Sequence, residues 1–170
     1  MEPHCLDIPS PWVVRWAALI AHGPVLDLAC GSGRHARFLS ERGLQVVAVD
    51  RDAQVLPPNI RFVQFDLESG APWPFRMERF GGIVVTNYLH RPLFGDIERS
   101  LAEDGVLIYE TFMSGNERFG KPSNPNFLLR PGELLQAFGA LKVRAFEQGT
   151  VQIPRPAVTQ RLCAIAVHKG

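Results

Sequence analysis

Apolar residues fall into two rhythms along this chain, and the switches between them outline its elements. Ser10-Pro11 marks a helix start, a capping hydroxyl followed by proline at the first helical position. Trp12, Val13, Trp16, Leu19 and Ile20 then recur at helical spacing, up to a stop signal at His22-Gly23-Pro24. Val25 to Ala29 reads as a short apolar strand interrupted by Asp27. A glycine turn follows, then a helix from about Arg34 to Arg42, closed by Gly43. Gln45 to Asp50 and Arg61 to Asp66 are buried strands that each end in an acid, and Gly82 to Asn87 and Val106 to Phe112 are two more. Pro92 to Ala102 places Leu93, Ile97 and Leu101 on one helical face, and Pro131 to Phe138 does the same with Leu134, Leu135 and Phe138. Lys142 to Val151 and Arg161 to His168 close the pattern as two strands, joined by a connection that holds Pro154 and Pro156.

Strands alternating with helices predict an α/β fold, a doubly wound and mostly parallel sheet covered on both faces. The last two strands have no helix between them, so they are expected to pair antiparallel at the far edge. A parallel crossover usually takes about a dozen residues or more. The segment from Arg51 to Ile60 is shorter and contains Pro57-Pro58, and Leu67 to Gly81 contains Pro72 and Pro74. The second and third crossovers are therefore expected to be reduced, with little or no helix. Residues 113–130, rich in Gly, Pro, Asn and Ser, read as a long loop. Loops beyond about 12–15 residues are usually functional or disordered. Phe119, Phe127 and Leu128 argue against plain disorder, so a substrate lid is the expectation.

Composition narrows the picture. The 170 residues suit one domain, residues 1–170, with residues 1–23 as its N-terminal helical segment. Eighteen basic residues against seventeen acidic ones give a formal charge of +1, which excludes a global field for nucleic acid or anionic membrane. Cys5, Cys30 and Cys163 are widely spaced, no C-x-x-C occurs and the five histidines are scattered. Neither a disulfide framework nor a metal site is expected. MEPHCLDIPSPW lacks the basic and apolar regions of a leader, and no apolar run approaches the roughly 20 residues of a membrane span. A cytoplasmic protein is the default expectation.

Candidate chemistry concentrates in LDLACGSGRHARFL, Leu26 to Leu39. Gly31-Ser32-Gly33-Arg34-His35-Ala36 fits the dinucleotide pattern G-x-G-x-x-G/A, which by itself is weak. In open α/β sheets ligands bind at the carboxyl ends of the strands. Gly31 and Gly33 follow the first strand, Asp50 ends the second, 17 residues past Gly33, and Asp66 ends the third. An acid after the second strand can accept both ribose hydroxyls, so to this point NAD and S-adenosylmethionine fit equally. Asp27 favours the second. A pyrophosphate needs free N–H groups and is repelled by a carboxylate. S-adenosylmethionine carries an ammonium and a sulfonium, which favour one. Asp66 is a further acid, suited to the adenine amine.

Val25-Leu26-Asp27-Leu28-Ala29-Cys30-Gly31-Ser32-Gly33 resembles motif I of class I S-adenosylmethionine-dependent methyltransferases. Val49-Asp50 resembles their motif II acid and Phe65-Asp66-Leu67 their motif III. Thr86-Asn87-Tyr88-Leu89-His90 stands where motif IV lies. Among subfamilies the chain is most similar to small bacterial methyltransferases that include the tellurite-resistance type. The resemblance implies a seven-stranded sheet in the order 3-2-1-4-5-7-6 with strand seven antiparallel. It implies S-adenosylmethionine as the cofactor, contacted by Asp27, Ala29, Gly31, Gly33, Asp50, Arg51, Asp66, Leu67 and Asn87.

Methyl transfer from a sulfonium is a direct displacement and needs no covalent enzyme residue, so the catalytic group is less legible than the cofactor site. His90 is a candidate base for an N–H or O–H nucleophile, and Glu110, at the end of the fifth strand, is a second candidate. Cys30 reads as a small side chain packed under the turn. Trp12 and Arg15 either close the cofactor site or belong to ordinary helix packing. Arg118, Lys121 and Arg130 in the lid would favour an anionic or polar small molecule. An RNA or protein acceptor remains the alternative, since fifteen of the eighteen basic residues are arginines. A non-catalytic cofactor-binding protein that needs a partner is a third reading. No membrane and no obligate protein partner is indicated.

Overall fold

The computed structural model describes residues 7–167. Cys5, most of the segment read for a leader, and His168 lie outside the described residues. Seven strands form one sheet in the order β3-β2-β1-β4-β5-β7-β6. They are β1 (Val25–Leu28), β2 (Val46–Asp50), β3 (Ile60–Gln64), β4 (Phe80–Thr86), β5 (Leu101–Phe112), β6 (Lys142–Val151) and β7 (Ala157–Ile165). β1 to β5 run parallel, and β7 is antiparallel to both β5 and β6. Helices α1 (Pro11–Trp16), α2 (Arg34–Glu41), α3 (Phe94–Arg99) and α4 (Glu133–Ala137) complete the layers.

Strand alternation sorts the core into two faces. Leu26, Leu28, Val47, Val49, Ile83, Val85, Leu107 and Tyr109 belong to one cluster, under α3 and α4. Val25, Val46, Ala48, Val84, Val106 and Ile108 belong to the other, under α1 and α2. As the sequence predicts, neither the second nor the third crossover carries a helix. In the third, Trp73 and Phe75 take its place. They meet each other edge to face at 5.4 Å, Phe75 meets Phe80 in the same way at 5.6 Å, and the Trp73 ring N–H donates to Ser100 Oγ at 2.9 Å. In the second, Arg37 donates to the Val55 carbonyl at 3.1 Å and ties the loop to α2. The N-terminal segment presses closely on β4, because a Cβ at Gly81 would run into the His22 backbone.

Several element boundaries differ from the sequence reading. The helix expected to reach Ala102 ends at Arg99, and β5 starts at Leu101, opposite Phe80. Asp104, at φ 58°, and a register shift between Phe80 and Gly82 break the apolar pattern there, so the early part of the strand was invisible. β7 starts at Ala157, four residues before the expected Arg161. Its early positions include the buried polar pair Thr159 and Gln160. Gln160 accepts from the Leu134 amide at 2.7 Å and donates to the Arg130 carbonyl at 3.0 Å. Residues 113–130 are structured, with two 3-10 turns and a bridge between Met113 and Leu129.

The base of that segment is held by an ion pair. Arg91 donates to Glu133 at 2.7 and 3.0 Å and also to the Asn126 and Leu128 carbonyls. Burial works against the charged form of Glu133. Its bonds from Arg91 and from the Arg130 amide outweigh that, and its carboxyl lies below the ordinary glutamate range. This stability is present above the usual glutamate pKa and is lost as pH falls through the lower folded value. Glu133→Gln is expected to cost about 2 kcal/mol, since it leaves a partly buried guanidinium without its partner. The check is a denaturant midpoint together with the rate of proteolysis inside residues 113–130, which should rise. An unchanged midpoint and unchanged cleavage would remove the ion pair from this role.

Candidate functional site

The carboxyl ends of β1 to β5 open onto a cavity of about 680 Å³. A turn at the end of β1 forms its floor. Ala29 and Gly31 adopt φ 54° and 52°, and Gly33, at φ 83°, caps α2. Side chains rarely tolerate this backbone region, and a Cβ at Gly33 would also run into Leu56. The Gly31 amide donates to Asp50 Oδ2 at 2.9 Å and the Asp52 amide donates to Oδ1 at 3.0 Å. Asp50 therefore fixes the turn at the end of β1 from the end of β2. Asp66, just past β3, accepts from the Glu68 amide at 2.9 Å, an Asx turn. Asn87, just past β4, also has positive φ, at 53°.

The cavity is lined by Ala29, Gly31, Asp50, Arg51, Asp66, Leu67 and Asn87, seven of the residues singled out from sequence. Asp27, Gly33, His90 and Glu110 do not line it. Gly33 shapes the turn from behind. Asp27 lies in β1 between Ala48 and Val84, 1% exposed, and neither carboxylate oxygen has a hydrogen-bond partner. Burial pushes its carboxyl up to about 8; the Ala36 amide and Arg34 pull back only in part, and Asp50 adds to the rise. Cys30 is buried, and burial with the nearby Asp27 and Asp50 pushes its thiol up to about 12, so it is no nucleophile at neutral pH.

Glu110 is held on the other face of the sheet. It accepts from the Ser10 hydroxyl at 2.7 Å and pairs with Arg161 at 2.9 Å. Trp12 and Arg15 belong to the same side. Trp12 is buried with its ring N–H on the Leu162 carbonyl, and Arg15 pairs with Glu147. The N-terminal helix therefore packs on β5 and β7 and does not close the cavity. The three basic lid residues also lie off the cavity wall. Arg118 folds over Phe119, Arg130 pairs with Glu133, and Lys121 is exposed. What the segment does contribute to the wall is Pro122 and Phe127.

Two features escaped the sequence reading. His35 is buried; its Nε2 accepts from the Ser10 amide at 3.0 Å, so Nδ1 carries the proton and faces Thr86 Oγ1 at 3.3 Å. Burial, then Arg34, lowers its pKa to about 3, so it is neutral and joins α1, α2 and β4. Glu68 lines the cavity, and His90 Nδ1 lies 3.3 Å from it, so His90 approaches the site through this carboxylate. Only the Asp66-x-Glu68 spacing at the exit of a strand hinted at Glu68.

Residues 25–105 match the methyltransferase-domain family. YqeM of Bacillus subtilis is 27% identical over 121 residues, covering 59% of this chain and 47% of that protein. The chain thus spans about half the length of the curated relative it matches. Among solved structures, TehB of Haemophilus influenzae superposes with a TM-score of 0.76 at 18% identity, over 93% of this chain and 62% of that one. A Burkholderia thailandensis 1,6-didemethyltoxoflavin-N1-methyltransferase, with 1,6-didemethyltoxoflavin and S-adenosylhomocysteine bound, superposes with a TM-score of 0.64 at 19% identity, over 92% and 76%. At these identities the superpositions establish the fold.

Proposed function

We propose that this chain, which carries a methyltransferase domain over residues 25–105 within the Rossmann-like methyltransferase fold, transfers the methyl group of S-adenosylmethionine to a small polar acceptor. One observation carries the reading. The cavity at the strand ends is floored by a positive-φ turn and ringed by strand-end acids, with the unpartnered carboxyl of Asp27 buried behind it. That donor set suits a cationic nucleoside and disfavours a pyrophosphate. Asp50 would hold the ribose hydroxyls, Asp66 and Leu67 the adenine, and Ala29 and Gly31 would let the backbone approach the methionine part. Arg51 and Asn87 would flank the donor.

The bound donor supplies an activated methyl group, and this chain supplies orientation and charge. Nothing in the mechanism needs a covalent enzyme residue. The anionic acceptor suggested by the lid bases loses its basis, because those bases do not reach the cavity wall. RNA is the second reading. Arg76, Arg79 and Arg99 line a separate cavity of about 420 Å³, and only Arg99 among them has a carboxylate partner among the described residues. Among the described residues no helix is long and apolar enough to cross a membrane.

Calorimetric titration with S-adenosylmethionine, S-adenosylhomocysteine and NAD tests the reading. Saturable binding of the first two and none of NAD is the expected outcome. Binding of NAD alone, or of none, would overturn it. An RNA oligonucleotide in the same series, tight and salt-dependent, would bring the second reading forward.

A further inference from the structure

The charge on the cavity wall is one-sided. Asp50, Asp52, Asp66 and Glu68 face a single guanidinium, Arg51, which is largely exposed and lies 3.8 Å from Asp52. If Asp50 and Asp66 hold the donor, as proposed above, and Asp52 is answered by Arg51, one carboxylate is left for the acceptor. That is Glu68, whose side chain is 45% exposed. It is a supported group. His90 Nδ1 sits 3.3 Å from Oε1, and the Tyr88 phenol faces the same carboxylate. Burial, with Glu68 and Asp66 nearby, pushes the Tyr88 phenol above its ordinary value, so it remains a donor to Glu68. Elsewhere on the wall Tyr88, Phe112, Pro122 and Phe127 supply aromatic and apolar surface.

An anionic acceptor entering this cavity would meet like charge with no free cation to receive it. A neutral flat molecule with an N–H group would stack on the aromatic wall and donate to Glu68. We propose that the acceptor is a small arylamine N–H compound and that Glu68 takes its proton. The nitrogen lone pair forms the bond to the methyl carbon. The carbon–sulfur bond breaks and its electron pair stays on sulfur, leaving the thioether product. The nitrogen, now positive, gives its proton to the Glu68 carboxylate and keeps the N–H bonding pair. Glu68 then returns the proton to solvent through its exposed side. Glu68 is the catalytic residue and His90 a positioning residue that aims its carboxylate.

This inference rests on the donor reading, so donor affinity is measured first and separately. Methyl-labelled S-adenosylmethionine is then supplied with three panels: aniline compounds with an N–H group; anionic acceptors such as selenite and benzoates; and simple thiols. Label should pass to the N–H panel alone. Glu68→Gln should leave donor affinity within about twofold and lower transfer about 100-fold, the usual scale for a lost general base. His90→Ala should lower kcat with little change in donor affinity, and His90→Asn, which still donates from a similar place, should recover most of it. Failure to bind the donor would overturn the proposed function itself. With the donor bound, label on the anionic or thiol panels only, label on nothing, or full transfer by Glu68→Gln would overturn the acceptor and the role of Glu68.

Discussion

Asp50→Ala is expected to weaken S-adenosylmethionine binding at least about 100-fold and to leave the protein folded. Hydrogen bonds to a charged acceptor are worth about 1.5–3 kcal/mol each, and two ribose hydroxyls on one carboxylate reach that factor at the lower value. The same carboxylate also holds the Gly31 and Asp52 amides, so its removal loosens the turn under the ligand. The fold should survive because Asp50 ends β2, is only partly buried, and leaves the β1–β2 ladder untouched. Titration calorimetry and a circular dichroism melt on the same sample check both halves. Asp50→Asn, with one acceptor oxygen, should fall between. Affinity within a few-fold of the parent would remove Asp50 from the donor site. Loss of the cooperative melt would instead make it a structural residue.

What could be read from the residues follows a physical division. The core strands were legible because Val46–Val49 and Val106–Tyr109 are buried on both faces, and such strands show as continuous apolar runs. The acids at their ends stood out because each closes an apolar run at the strand end where parallel sheets bind ligands. The start of β7 was hidden because Thr159 and Gln160 are buried polar residues, Gln160 through bonds to α4 and its approach. Only the folded chain supplies those partners. His35 reads like any helix residue until Ser10 and Thr86 are brought to its two nitrogens. Glu110 lies at the right end of the right strand, but Ser10 and Arg161 hold its carboxylate away from the cavity wall. For such residues the deciding partner is 25 to 100 positions away in sequence.

The ligand-free protein is expected to lose about 2 kcal/mol of stability between pH 6.5 and 8, and Asp27→Asn is expected to abolish that loss. Raising the Asp27 carboxyl from 3.8 to about 8 is on the order of 6 kcal/mol of unfavourable ionisation in the folded chain. The unfolded chain gives up this proton near pH 4 and the folded chain holds it until about 8, so Asp27 makes stability fall with rising pH across that window. His35 acts in the opposite sense. Its folded pKa of about 3 lies below the ordinary 6.5, so the unfolded chain binds the extra proton and stability rises with pH between those values. Below pH 6.5 the two slopes nearly cancel. Above it Asp27 acts alone, at about 1.4 kcal/mol per pH unit. In Asp27→Asn the His35 rise should therefore stand unopposed up to pH 6.5, followed by a plateau. Chemical denaturation at half-unit pH steps distinguishes the two curves, and parallel curves would remove Asp27 as the source. A cationic donor reverses the balance by favouring the carboxylate. Titrating S-adenosylmethionine at pH 7 in buffers of different ionisation enthalpy should then reveal release of up to about one proton in the parent and less in Asp27→Asn. Equal release in both would separate Asp27 from the ligand and leave its buried carboxyl as a cost of the fold alone.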